Sequence, residues 1–223
     1  MIKFISVANI LGAMKTIYDI IIGLFGNKKP NKSDNIDEDP KYNIPTINLP
    51  SVIFDNSLNW SYIIIHHSLS KDGIMRNFDA LKKYHMSYRI DGVIVTKEDF
   101  ESKRKNKIGL VFEEPWSDIG YHFVEENING ELVIIPGRPL SKVGSHCTSM
   151  NSKSIGICLC GNYDQDMPAN NQYLMLAGLC ILLMKKYKIS INNIKMHNEY
   201  AVKSCPGKYF DKVRLIELIK SNM

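Results

Sequence analysis

SYIIIHH, Ser61 to His67, sets three consecutive isoleucines against a pair of histidines. An apolar, β-branched run without polar alternation suits a strand buried on both faces, which places it in the middle of a sheet. Its last residues then reach the edge where open α/β sheets gather their binding sites. Neighbouring strand residues point to opposite faces, so His66 and His67 cannot both enter one site easily.

The rest of the chain supplies what such a strand needs. SIGICLCG, Ser154–Gly161, reads as a second buried strand. Tyr121–Glu125 and Glu131–Ile135 flank Asn129-Gly130, a hairpin turn signal. Gly73–Met86 has helical spacing, with Ile74, Phe78, Leu81 and either Tyr84 or His85 on one side. Asn171–Lys188 reads as a long helix whose terminal lysines suit the helix dipole. Ile191–Met196 reads as a last strand, and Lys208–Lys220 as a closing helix. Strands interleaved with helices predict an α/β fold, a mixed central β-sheet flanked by α-helices.

The chain divides unevenly. Residues 27–50 carry four prolines, many Asn and Asp, and few large apolar groups, and read as a linker. The compact domain is therefore expected over 51–223. Residues 1–26 are apolar but interrupted by Lys3, Lys15 and Asp19. The longest uncharged run there, Phe4 to Met14, is 11 residues, against the ~20 that span a bilayer. Lys15, Thr16, Asp19, Gly23 and Gly26 share one helical side, as in an amphipathic helix. A signal, a membrane anchor and a helix packed on its own domain all remain open for this segment.

With 44% apolar and 23% charged residues, the composition is that of an ordinary soluble protein. The net charge of +5 is spread along the chain and suits work near an anionic polymer, without choosing one. Five cysteines cannot all pair within one chain. They read as reduced, small buried thiols with at most one in a special role.

That role falls to HNEYAVKSCPG, His197–Gly207. Two imidazoles and a thiolate are a common three-ligand set for catalytic zinc, leaving one position for water. One of His66 and His67, with His197 and Cys205, would make that set. The spacing of the last two is not that of a zinc finger, and as residues alone they could equally be core or turn groups.

A resemblance chooses between these readings. IIIHHS at Ile63–Ser68, DIGYHF at Asp118–Phe123, GRP at Gly137–Pro139 and GSH at Gly144–His146 are followed by three further fragments. These are N-x-x-SIGICL at Asn151–Leu159, GNYD at Gly161–Asp164 and H-x7-CPG at His197–Gly207. In this order they resemble the zinc-dependent N-acetylmuramoyl-L-alanine amidases, a family that includes amidase-type phage lysozymes and peptidoglycan recognition proteins. The similarity spans about residues 58–215. It implies one Zn2+ held by His66, His197 and Cys205, with His67 structural. It also implies a catalytic lysine at Lys203 and a tyrosine at Tyr121 that binds or polarises the reacting centre. His146 and Asn151 match positions along the substrate groove. His85 and His122 are expected to pack or hydrogen-bond outside the site.

The implied activity is hydrolysis of the amide between N-acetylmuramic acid and L-alanine, by an endolysin or autolysin-type enzyme. Its partner is peptidoglycan and not nucleic acid, in the cell wall, periplasm or host envelope. Membrane contact would run through residues 1–26, and a monomer is expected. The alternative within the fold is a binding module without catalysis. The chain departs from compact relatives in an insertion at about 87–115, read as a strand (Gly92–Thr96), a charged turn or helix, and an apolar return (Ile108–Phe112).

Overall fold

The computed structural model describes residues 43–70, 77–105 and 109–223. The segment 1–26, the linker as far as residue 42, and residues 73–76 of the expected Gly73–Met86 helix lie outside them.

β1 (Tyr62–His67) is central, parallel to β7 (Ser154–Leu159) on one side and to β8 (Ile194–Met196) on the other. β5 (Phe123–Ile128) runs parallel to β7, and its hairpin partner β6 (Glu131–Pro136) is antiparallel. The sheet is mixed, in the order β6-β5-β7-β1-β8. Asn129 and Gly130 make the hairpin turn with φ of 55° and 91°, the backbone a two-residue primed turn demands.

The described α-helices are α1 (Phe78–His85), α2 (Lys97–Lys105), α3 (Asn170–Tyr187) and α4 (Lys212–Lys220). None of them is long and apolar enough to cross a membrane. Ile63, Ile65, Ile155, Ile157 and Leu159 form one core with Leu176, Leu179 and Leu183 of α3 and Leu215 and Ile219 of α4. Each such side chain stabilises the fold by roughly 1.5–3 kcal/mol through removal from water. Ile44, Ile47 and Leu49 pack on the same core, so the linker expected over 27–50 is already part of the packed unit where it is described. Gly178 lets this strap approach α3: a Cβ there would stand 2.6 Å from the Pro45 carbonyl oxygen. A helix covered by sheet, strap and neighbour can be apolar nearly all round, as α3 is.

The period of two sorts the other face. Ile64 meets Cys147 and Met150, and Cys158, Cys160 and Val124 meet Leu81 and Ile119. His66 belongs to this face and His67 to the helical one. The five cysteines are free thiols.

The insertion makes a small antiparallel sheet, β3 (Val93–Ile94), β2 (Arg89–Ile90) and β4 (Phe112–Glu113), with α2 beside it. The structure adds β2, which was hidden because Arg89 is polar. Arg89 is 1% exposed, with its guanidinium 4.5 Å from the Tyr84 ring and 5.4 Å from Trp116. It forks onto Glu113 at 3.2 and 3.3 Å and also donates to the Tyr84 carbonyl. Trp116 in turn stacks on His85 at 4.5 Å, whose ring lies 5.5 Å from Tyr121. The base of the insertion is therefore bolted beside Tyr121.

Candidate metal centre

Parallel pairing of β1 with β8 matches Ile65 to Met196, so the next residues, His66 and His197, leave the sheet side by side. Their rings are 4.4 Å apart. Cys205 returns to them through the turn that follows, and its Sγ lies 3.6 Å from His66 Nδ1. The ligand atoms of His66, His197 and Cys205 all lie within 4.8 Å of one another, the one such group of three among the described residues.

Local bonds explain the return. The Asn198 N–H donates to the Cys205 carbonyl at 2.7 Å, closing the loop between them. Asp164 accepts from the Ser204 hydroxyl at 2.5 Å and from the Lys208 N–H at 2.9 Å. Gly207, at φ 115°, lies so close to Tyr163 that a Cβ would stand 2.4 Å from its carbonyl carbon. The Tyr209 N–H donates to the same residue's carbonyl at 2.9 Å. Asp164 was visible in the GNYD fragment, but nothing in the sequence showed that it pins the turn bearing Lys203 and Cys205.

The two histidines of β1 divide as the strand period requires. His66 is 1% exposed and joins the cluster. His67 turns to the helical face, where its Nδ1 accepts the Tyr163 N–H at 3.1 Å. Its own backbone N–H donates to Cys205 Sγ at 3.4 Å.

Tyr121 is half-buried, with its ring 5.1 Å from that of His66. Lys203 is exposed, yet near enough that its charge depresses the pKa of both His66 and His197. The sequence reading puts His146 and Asn151 along the substrate groove, and the structure places both next to His66. His146 is 8% exposed, with Nδ1 3.0 Å from His66 Nε2 and Nε2 3.3 Å from the Ser154 carbonyl. Asn151 Oδ1 accepts the N–H groups of His146 at 2.9 Å and Cys147 at 2.8 Å. Both stand behind His66 because the loop before β7 folds over that face of β1. His122 packs as expected: the Gly156 N–H donates to its Nδ1 at 3.0 Å, and its Nε2 meets the Lys142 carbonyl at 3.1 Å. His85 likewise accepts the Gly120 N–H at 3.1 Å.

Burial is the main electrostatic influence throughout. It drives His66 well below the ordinary imidazole range, helped by His146 and His197. It brings His197 to about 4, with Lys203 contributing. It pushes the Cys205 thiol up to about 12, against the stabilising His67 N–H. Burial also raises the Tyr121 hydroxyl well above its usual value, so it stays protonated at neutral pH and can donate a hydrogen bond.

The cluster therefore offers neutral imidazole lone pairs beside a thiol that gives up its proton when it meets a cation. One edge of the cluster has the length that zinc sets. Bonds of about 2.3 Å to sulfur and 2.0–2.1 Å to nitrogen at a tetrahedral angle set an S···N edge of about 3.5–3.6 Å, and the Cys205–His66 edge is 3.6 Å.

The chain matches known proteins in both sequence and fold. The sequence model of the N-acetylmuramoyl-L-alanine amidase family matches residues 56–208. The endolysin of Escherichia phage T7 is 33% identical over 115 residues, covering 47% of this chain and 72% of the phage protein. Peptidoglycan-recognition protein SC2 of Drosophila melanogaster is 28% identical over 153 residues, covering 66% of this chain and 68% of its own length. Among solved structures, the endolysin amidase LysCS of Clostridium intestinale superposes with a TM-score of 0.53 at 24% identity, over 74% of this chain and 86% of that one. Bumblebee PGRP-SA does so with a TM-score of 0.50 at 21% identity, over 70% and 80%. At these identities the structural likeness establishes the shared fold.

Proposed function

Because the chain belongs to the N-acetylmuramoyl-L-alanine amidase family, we propose that it is a peptidoglycan hydrolase. It cleaves the amide between N-acetylmuramic acid and L-alanine, with one Zn2+ held by His66 Nδ1, His197 and Cys205 Sγ. The observation that carries this reading is the convergence of two imidazoles and one thiol from opposite ends of the domain within 4.8 Å.

When bound, the ion supplies Lewis acidity and a water whose pKa falls to about 7. The protein supplies the rest. Tyr121, its hydroxyl kept protonated by burial, donates a hydrogen bond to the amide oxygen as charge gathers there. Lys203 brings a positive charge to the rim of the same site, where His66 and His197 already feel it. Groups aimed at developing charge contribute about 2.7–4 kcal/mol each in comparable acyl-transfer sites. His67 and Asp164 hold the turn that carries Cys205 and Lys203. The insertion at about 87–115, whose Arg89 stacks over Trp116 beside His85, is assigned to peptide recognition.

Two measurements test this: zinc stoichiometry of the purified protein, and release of new L-alanine amino groups from purified cell wall. One ion per chain with amine release is expected. A protein that binds muropeptides but releases no amines would be the binding module seen among recognition proteins.

Residues 1–26 are assigned to export or membrane tethering, through a linker that ends before Ile44. A chain shortened to begin at residue 40 should still release amines but lose binding to anionic vesicles. Vesicle binding by the shortened chain would refute the assignment.

A further inference from the structure

The proposed amide-releasing site uses two imidazoles and one thiol; His146 and His122 stand behind it with no part in the reaction so far. We propose that His146 is a positioning residue, which sets the tautomer of His66 and thereby presents His66 Nδ1 to the metal. The inference rests on the metal-centre reading above and extends it to a residue one layer back.

A chain of hydrogen bonds joins the two rings, and its direction is fixed at its far end. A carbonyl oxygen only accepts, so His146 Nε2, 3.3 Å from the Ser154 carbonyl, carries the hydrogen. His146 is buried and none of its described partners is a carboxylate, so its ring is neutral and bears a single N–H. Its Nδ1 is then an acceptor. The atom facing it at 3.0 Å is His66 Nε2, which must donate. A neutral His66 with its hydrogen on Nε2 has its lone pair on Nδ1, the atom 3.6 Å from Cys205 Sγ. Metal-bound histidines regularly donate their second N–H in this way, which fixes ring orientation and raises ligand basicity.

The surroundings are shaped for that ring. A Cβ on Gly156 would stand 2.5 Å from His146 Cγ and Cδ2, and one on Gly144 would stand 2.5 Å from Cδ2. Any residue but glycine at either place would occupy the space the imidazole fills. Asn151 fixes the main chain of His146 through the N–H groups it accepts. His122 backs the ring, 5.7 Å away at 76°. Its own tautomer is set by the same logic, since the Gly156 N–H needs an acceptor at Nδ1. The GSH and SIG fragments thus serve one imidazole.

The experiment uses the full chain and two variants: His146→Leu, which removes the acceptor at similar size, and His146→Asn, whose Oδ1 restores one where Nδ1 stood. Zinc affinity is read by competition with a chromophoric chelator. His146→Leu should raise Kd about 10–100-fold, while His146→Asn should stay within a few-fold of the wild type. Equal affinity of His146→Leu and the wild type, or equal weakness of both variants, overturns the proposal. Nitrogen-detected NMR of the zinc-free wild type reads the tautomer directly. The hydrogen of His66 is expected on Nε2, and finding it on Nδ1 overturns the proposal even if His146→Leu does not fold. A wild type that binds no zinc but shows the Nε2–H tautomer would sink the metal-centre reading and leave the hydrogen-bond chain standing.

Discussion

Acid should loosen this protein through a residue that touches neither metal nor substrate. His122 is buried with both ring nitrogens committed to backbone groups, and burial lowers its pKa from the ordinary 6.5 to about 4. Between those values the unfolded chain binds a proton that the folded one refuses. The stability this group contributes is thus fully present above pH 6.5 and is lost as pH falls towards the folded value. Linkage with these two values gives a loss of about 2 kcal/mol by pH 5 and about 3 kcal/mol by pH 4. The other buried imidazoles contribute in the same direction, so the measurement is a difference. Urea unfolding of the wild type and of His122→Asn is followed at pH 7.5, 6, 5 and 4, with chelator present so that metal release does not intrude. The asparagine keeps an acceptor for the Gly156 N–H and does not titrate. It should be less stable than the wild type at pH 7.5 but lose about 2 kcal/mol less on going to pH 5. Parallel stability curves would refute the reasoning, because His122 would then be titrating alike in both states.

Lys203→Met should lower turnover about 10²–10³-fold, the loss for one charge-stabilising donor, and leave zinc content unchanged by metal analysis; equal loss of both would reject a catalytic role. Asp164→Ala removes the acceptor for both Ser204 and Lys208, and should weaken zinc binding about tenfold by freeing the Cys205 turn; unchanged affinity would mean that the turn's other contacts hold it without Asp164. Arg89→Met cuts the stacked and hydrogen-bonded clamp of the insertion, on the order of 2–3 kcal/mol. Limited proteolysis should then cut within 87–115 first, with zinc content intact.

Much of the sheet was legible because its strands are short, apolar and β-branched, and because Asn129-Gly130 permits few other turns. β5 starts two residues later than expected, at Phe123. Tyr121 and His122 are held instead by the Gly137, Arg138 and Gly156 backbones as the chain enters the sheet. α4 starts at Lys212, not Lys208, since Asp211 caps it by accepting the Arg214 N–H and the residues before it are pinned to Tyr163. The strap at 43–49 was read as linker because its prolines and asparagines outweigh Ile44, Ile47 and Leu49 in composition. Composition does not register that three spaced apolar groups suffice to cover α3.

The proposed ligand cluster was legible in the sequence and its surroundings were not, and strand geometry gives the reason. Alternation along β1 separates His66 from His67 without any knowledge of their partners. It sets them on opposite faces, and the family resemblance names His66 as the one on the site's side. What it cannot supply is what lies behind His66, because His146 comes 80 residues later and approaches through a loop whose path depends on Gly144 and Gly156 leaving room. A histidine in a loop near a hydrolytic site reads equally well as a substrate contact. His67 shows the same limit from the other direction. Its side chain orients the Tyr163 backbone, which in turn receives the Tyr209 N–H, while its own N–H reaches Cys205 Sγ. A residue facing away from the proposed metal centre therefore supports its thiol-bearing turn from two sides.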